Sequence, residues 1–363
     1  MNIYSFSILD VLPYFVLLIV ILGIHKFGGN KKALVVFLLL TVFSSIRYGI
    51  GYDYFTYCDM IKYEDFDRIE SEIISVELMR LASFFGWNQL YFIINAVVSL
   101  YAIYYVVKRF SVNPTISLLF LYLMPMFYLE SFSVVRNFSA YSIVLLSFYF
   151  LYEKKFWLYV LSVFVAGLFH SSGFVGFLLL PICLFKLNRK TSVLIFISSF
   201  FISVILKDLI MSLSGNGRIF TNLQNYAAMS RSQGQFMLYI IAFYNIINLL
   251  FWDKLRRKND RNIYYLNIIN IGSCIWFMLS FDHTLSLRIA TFFLFFHILL
   301  LPEYFYLFRK KYQPIINTGV LLFFIAVYTF GFVNVIVATR KDNSKISNVP
   351  YQTIFFGKRY SNQ

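Results

Sequence analysis

The sequence predicts an all-α polytopic membrane protein: about twelve transmembrane helices with two longer outer-face loops, one of which contains an amphipathic interfacial helix. Three observations predict it. The 363-residue chain is 60% hydrophobic and 21% aromatic, with charge on only 13% of its positions; soluble domains carry about a quarter. Apolar runs of about 16 to 20 residues recur along the chain, the helical span of a bilayer, whereas a membrane barrel would alternate over shorter strands. Short basic clusters separate these runs and fall in every second junction.

The spans lie near 8–25, 32–47, 89–107, 114–130, 134–152, 156–170, 173–187, 191–208, 235–252, 263–281, 288–307 and 314–336. The first has no basic start and no small-residue cleavage site, and Lys26 lies on its far side, so it reads as a retained helix and not as a secretory signal. The basic junctions hold Lys26, Lys31 and Lys32; Lys108 and Arg109; Lys154 and Lys155; Lys186, Arg189 and Lys190; Lys254, Arg256, Arg257, Lys258 and Arg261; and Arg309, Lys310 and Lys311. Positive loops stay in the cytoplasm. Both termini then face outward, as do the loops around 48–88, 131–133, 171–172, 209–234 and 282–287.

Within the first long outer loop, Ile74, Leu78, Leu81 and Phe85 recur at helical spacing with Glu77 and Arg80 on other faces. That pattern predicts an amphipathic helix lying flat on the outer membrane surface and stopping at Gly86. The chain reads as one membrane domain, 1–339, with a polar outer tail, 340–363. The net charge of +15 is punctuation between apolar runs and lacks the basic-aromatic surface of a nucleic-acid binder. Cys58, Cys183 and Cys274 are isolated, which indicates neither a disulfide framework nor a thiolate metal site.

The unusual polar groups crowd the outer face. Arg47 ends the second span, Arg136 starts the fifth and Arg288 starts the eleventh. Singly, each reads as an arginine snorkelling to the interface; together, on neighbouring helices, their forked donors would suit phosphate oxygens. His170 ends the sixth span beside Ser171, Ser172 and Gly173. Such a histidine is either a hydrogen-bonded packing residue or a base able to take a proton from a hydroxyl. In "RYGIGYDYFTY", Gly49 and Gly51 allow a sharp turn that points Asp53 back toward Arg47 or into a cavity. Asp65 and Asp67 have the spacing of a metal site but read as a solvated acidic face, so no metal and no cofactor is expected. His283 and Glu130 are secondary candidates.

These landmarks, in this order, resemble the EpsG family of bacterial exopolysaccharide proteins, related in role to the Wzy polymerases of O-antigen and capsule assembly. The resemblance rests on "RYGIGYDYFTY", "SVELMRLASFFGWNQLYF", "SVVRNFSAYSIVLLSFYFL", "FHSSGFVGFLLLP", "SLRIATFFLFFHILLLPEYF" and the tail "VPYQTIFF". It covers about residues 40 to 356. Asn137 stands where the family commonly has glutamine, which shortens the reach of that carboxamide.

The resemblance implies a membrane glycosyltransferase at the outer face of the bacterial inner membrane, one that joins polyprenyl-diphosphate-linked oligosaccharide repeat units. On that reading Arg47, Arg136 and Arg288 bind the diphosphate, and His170 or Asp53 acts as the base. Tyr52, Tyr54, Glu77, Asn137 and Tyr226 contact the glycan, with Tyr57 and Trp87 as further flat faces for sugars. The partners expected are the lipid-linked oligosaccharide, membrane lipid, a flippase and a chain-length regulator. A flippase or transporter would instead carry its polar groups near the midplane. An acyltransferase would leave chain length unchanged.

The alternating charge fixes a testable topology. After removal of the native cysteines, Ser71→Cys, Ser232→Cys and Ser361→Cys should each label with an impermeant thiol reagent in intact spheroplasts. Protection of all three would invert the orientation.

Overall fold

The computed structural model describes residues 8–67, 69–124, 126–212, 235–308, 310–341 and 349–355. Those residues form fifteen α-helices and three 3-10 segments, with one isolated antiparallel bridge and no strand among them. They fall into two compact units, Met1–Phe174 with Phe308–Gln363, and Val175–Leu307. The first holds α1 (Leu12–Phe27), α2 (Lys32–Ser45), α3 (Tyr54–Tyr63), α4 (Ile73–Phe84), α5 (Gln89–Phe110), α6 (Pro114–Leu123), α7 (Val135–Tyr152), α8 (Phe156–Phe169) and the last helix, α15 (Gln313–Lys341). The second holds α9 (Leu179–Leu184), α10 (Arg189–Ser212), α11 (Gln235–Lys258), α12 (Asn262–Met278), α13 (His283–Leu294) and α14 (His297–Tyr304).

Among the described residues, four helical stretches are long and apolar enough to cross a membrane: Gln89–Phe110, Arg189–Ile210, Phe236–Lys258 and Gln313–Gly331. Three of the remaining expected spans are cut short or broken, and for two of them the sequence supplies a cause. The span expected over 114–130 is helical only to Leu123, because Met124, which precedes Pro125, adopts an extended backbone. The span expected over 288–307 is two helices bent by 58°. Its break falls where the His297 ring takes the carbonyl of Leu294 at 2.8 Å, which an unbroken helix would give to residue 298. The span expected over 173–187 is a 3-10 segment, Ser171–Leu178, followed by the short α9.

That 3-10 segment crosses back tightly over the end of α8. A Cβ on Gly173 would lie 2.5 Å from the Ala166 carbonyl, and one on Gly167 would enter the Phe174 ring at the same distance.

The segment 48–88, expected as a long loop, is not a loop in the ordinary sense. Helices α3 and α4 fold onto α5 through a cluster of Tyr54, Tyr57, Ile61, Phe66, Ile69, Val76, Met79, Ala82, Tyr91 and Phe92, closed by Val135 at the start of α7. Helix α4 is present close to its expected extent but presents a different face to the protein. Ser75, Val76, Met79 and Ala82 are buried, whereas Leu81, Phe84, Phe85 and Trp87 are exposed. The face predicted for the membrane is thus partly the one left uncovered, and the periodicity could not separate two adjacent apolar stripes on one helix.

Elsewhere in the first unit, buried tyrosines satisfy their hydroxyls internally, Tyr122 on the Tyr14 carbonyl at 2.8 Å, Tyr128 on the Leu40 carbonyl at 2.6 Å and Tyr328 on the Tyr122 hydroxyl at 2.6 Å. An unpaired hydroxyl in an apolar interior would cost several kcal/mol, on the order of 2 or more.

Gly51 is the tightest constraint on the turn. Its φ is +101°, and an added Cβ would sit 2.0 Å from the Phe132 carbonyl oxygen. Gly49 has a φ of +65° but meets only the end of the Phe55 ring at 3.3 Å. Gly51→Ala should therefore lower stability in detergent by about 3 kcal/mol or prevent folding, against about 1 kcal/mol for Gly49→Ala. Thermal unfolding followed by size exclusion distinguishes them; equal tolerance of both would contradict the turn as described.

Candidate functional site

Four segments, distant in sequence, end at one place in the first unit: the turn before α3, the start of α4, the start of α7 and the end of α8. Glu72 occupies the position just before α4 and is 5% exposed. One of its carboxylate oxygens pairs with Arg136 Nη1, in the first turn of α7. The other accepts the backbone N–H of Ser171 at 3.2 Å and lies 3.8 Å from His170 Nε2. A single carboxylate thus joins α4, α7 and the end of α8. A second tie runs between α4 and α8, from Ser75 Oγ to the Phe169 carbonyl at 2.7 Å.

The histidine is held from its other side. His170 Nδ1 is 2.7 Å from Ser172 Oγ, Ser172 Oγ donates to Asn137 Oδ1 at 2.8 Å, and Asn137 Nδ2 donates to Tyr141 Oη at 2.7 Å. The backbone N–H of Ser172 donates to the same Nδ1 at 3.2 Å, and Nε2 faces Glu72, whose carboxylate balances the ring when it is protonated.

Beneath Arg136 lies Tyr57. The arginine Nε approaches its hydroxyl at 3.5 Å and its guanidinium carbon is 5.6 Å from the ring centre. Burial pushes the Tyr57 phenol up, and Arg136 partly offsets this while Asp53 adds to it. Asp53 is the residue preceding α3, half-buried, and its influence on Tyr57 places it electrostatically within the same group.

Other expected residues are placed differently. Arg47 is 1% exposed, its guanidinium lying between the rings of Phe92 and Phe132 at 5.2 and 4.8 Å, with Nη1 bonded to the Ser44 carbonyl at 2.6 Å. Its Nε has no hydrogen-bond partner. It lines a cavity of about 10 Å³ with Ser44, Asn95, Ser99, Ser131 and Phe138, room for about one water. Phe92 in turn contacts Tyr57, so two aromatic rings separate Arg47 from Arg136.

Tyr54 is buried and donates to Gln89 Oε1 at 2.9 Å, and Gln89 Nε2 donates to the carbonyls of Ser45 and Arg47 at 2.6 and 2.9 Å. Tyr54 therefore secures the turn, while Tyr52 is exposed, as a sugar platform requires. Glu77 is exposed and paired with Arg80 at 2.6 Å. Asp65 and Asp67 are exposed. Arg288 is half-buried on α13, in the second unit. Tyr226 lies outside the described residues.

Glu72 is the site candidate that the sequence reading missed. The acid expected to contact glycan on this helix is Glu77, inside α4, whereas Glu72 stands just before it. Only the fold shows which one turns inward.

A model of the EpsG family matches residues 32–353. The chain belongs to the EpsG family. No curated protein and no solved structure matches it. Membership makes this a multi-pass membrane protein of polysaccharide biosynthesis with a polymerase-type function, and within this EpsG-family chain the Glu72 group is a charged constellation that joins separate segments of the first unit.

A double-mutant cycle measures the bond at its centre. Glu72→Gln and Arg136→Gln should each destabilise the detergent-solubilised protein by about 3 to 5 kcal/mol, and together by at least about 1 kcal/mol less than the sum. Strict additivity would mean that the two side chains do not interact.

Proposed function

We propose that this chain is a glycosyltransferase polymerising polyprenyl-diphosphate-linked repeat units at the outer face of the bacterial inner membrane, probing its substrates at the Glu72 group. The observation that carries the proposal is the pairing of an arginine in the first turn of an 18-residue helix with a carboxylate and a histidine from two other segments. A cation at a helix N-terminus opposes the helix dipole. The same cation and dipole act together on an anion. Arg136 is therefore set in a place that gains most when a phosphate arrives.

In the transfer step, the acceptor hydroxyl oxygen bonds to the anomeric carbon of the donor sugar as the bond from that carbon to the diphosphate oxygen breaks. The hydroxyl proton goes to the base, and the bonding pair leaves with the polyprenyl diphosphate. Arg136 stabilises the charge that grows on the leaving oxygens. Arg47, buried in its aromatic sandwich, contributes a fixed positive charge and anchors the turn. The His170 ring accepts the proton, and Glu72 stabilises the imidazolium so formed. Asp53 holds the acceptor, with Tyr52 as its sugar platform and Glu77 at the loop surface, while Asn137 positions Ser172 beside the His170 ring.

The orientation follows from the ends of two helices. Helices α5 and α7 carry the site near their N-termini, while Arg109 and Lys155, near or just beyond their C-termini, gather on Tyr105 and Tyr149. With those basic residues in the cytoplasm, the site faces outward, in keeping with some twelve spans and outward termini. The exposed Leu81, Phe84, Phe85 and Trp87 of the α4 region then meet lipid beside it. A flippase would need a polar path through the bilayer, and an acyltransferase would need no diphosphate site.

Arg136→Lys keeps the charge but loses the fork, so chain extension should fall about tenfold or more, the effect of about 1.5 kcal/mol in one charged hydrogen bond. His170→Ala should abolish extension while lipid-linked units still bind and accumulate, and Asp53→Asn should retain measurable turnover with weaker acceptor binding. Long chains from His170→Ala beside a dead Asp53→Asn would exchange the two roles; full activity in all three variants would remove the site from this group.

A further inference from the structure

The segment near the C-terminus is built into the turn that carries Arg47. Residues 351–354 run antiparallel to residues 46–48, with Arg47 opposite Thr353. The N–H of Tyr48 donates to the Gln352 carbonyl and the N–H of Ile354 to the Ile46 carbonyl, both at 2.9 Å. Tyr351 stacks on Phe43 with ring centres 4.0 Å apart, donates its hydroxyl to the Phe43 carbonyl at 2.7 Å, and meets Tyr14 edge-on at 5.4 Å. Its own N–H donates to the Asp10 carbonyl at 3.2 Å. Val349 is buried.

Such a bridge is short, yet its position gives it leverage. The strand it clamps leads within three residues to Gly49 and Gly51, where the backbone has positive φ, and then to α3. The other side of that strand is held by Gln89, through the carbonyls of Ser45 and Arg47 and the Tyr54 hydroxyl. With both sides held, the turn has one register, and that register decides where Asp53 and Tyr57 stand relative to Arg136. Without the clamp, the positive-φ glycines leave the turn free to pivot.

We propose that the segment Val349–Phe355 is a fixed positioning strap for the catalytic turn, with Tyr351 as its anchor, and that it stays docked throughout turnover. This rests on the assignment of the site to the Glu72 group. The tail is therefore a structural part of the site and is held on its side of the molecule. A lid that lifts to admit substrate to Arg47 is the opposite mechanism, and the two make opposite predictions for a tail that cannot move.

The test uses the full chain in three arms. First, Cys58 on α3 serves as a reporter independent of activity, in a chain with Cys183→Ser and Cys274→Ala. Burial pushes its thiol up to about 11, so it should label slowly. Tyr351→Ala, and a stop after residue 348, should each raise the Cys58 labelling rate about tenfold, the thiolate gain of about one pKa step toward the ordinary thiol value. Tyr351→Phe keeps the stack on Phe43 and should behave as the parent.

Second, in a chain without native cysteines, the pair Ile46→Cys and Ile354→Cys, oxidised to a disulfide, should extend glycan chains at the rate of its reduced form, whereas Tyr351→Ala should raise the KM for lipid-linked units about tenfold. Third, Arg136→Lys is measured alongside. If Arg136→Lys is fully active, the site assignment fails whatever the tail does. If Arg136→Lys is impaired but the tail variants leave both Cys58 labelling and KM unchanged, the strap is refuted. Inactivity of the disulfide form that reduction restores would refute it in favour of a moving lid.

Discussion

The ion pair between Glu72 and Arg136 is the contact on which one end of the first unit depends. Neither charge is cheap to place there. Glu72 is almost fully buried and the Arg136 side chain is 18% exposed, so each would carry a desolvation cost of several kcal/mol alone, on the order of 3 to 5 if its partner were removed. Glu72 offsets that cost by satisfying two groups at once, Arg136 and the N–H of Ser171, with His170 Nε2 3.8 Å away. Because these groups belong to α7 and to the segment after α8, one carboxylate determines how three separate segments meet. A buried pair of this kind stabilises little compared with apolar packing, but it fixes how the segments that carry it meet.

Around that pair the fold supplies rigidity by different means on each side. On the α8 side, the chain reverses through a glycine at position 173 that allows backbone contact with Ala166, which brings His170 and Ser172 into reach of Asn137. On the α3 side, rings do the same work: Tyr54 stacks on Phe92 at 4.4 Å, and Phe92 lies under the guanidinium of Arg47. Arg47 is then best understood as a cation whose hydration has been replaced by two aromatic faces and the Ser44 oxygens. Its lone Nε and the small polar cavity beside it are the cost of placing a charge where no carboxylate stands close.

Much of this was legible in the chain before its fold was known. The all-helical membrane class follows from apolar run length, and His170, Arg136, Asn137 and Asp53 were recognisable as polar residues crowded at helix ends. The parts that were not legible depend on contacts between distant segments. Glu72 and Glu77 are five positions apart on a single helical approach, and nothing local distinguishes the one that turns inward. Arg47 and Tyr54 look exposed at the end of a span, since the rings and the strap that cover them come from residues 92, 132 and 351–354. Pro125 and the His297 ring shorten or bend spans that hydropathy alone extends, because hydropathy counts apolar atoms and does not register a lost or diverted hydrogen bond.

The central claim is that the Glu72 group forms glycosidic bonds with loss of a lipid diphosphate. The purified chain in proteoliposomes, supplied with a radiolabelled polyprenyl-diphosphate-linked repeat unit in the presence of a chelator, should yield a ladder of products. Each step should be one repeat longer and release one polyprenyl diphosphate, and Glu72→Gln protein of equal amount and fold should yield neither. Products of unchanged length, label that only crosses the bilayer, or an undiminished ladder from Glu72→Gln would contradict the account.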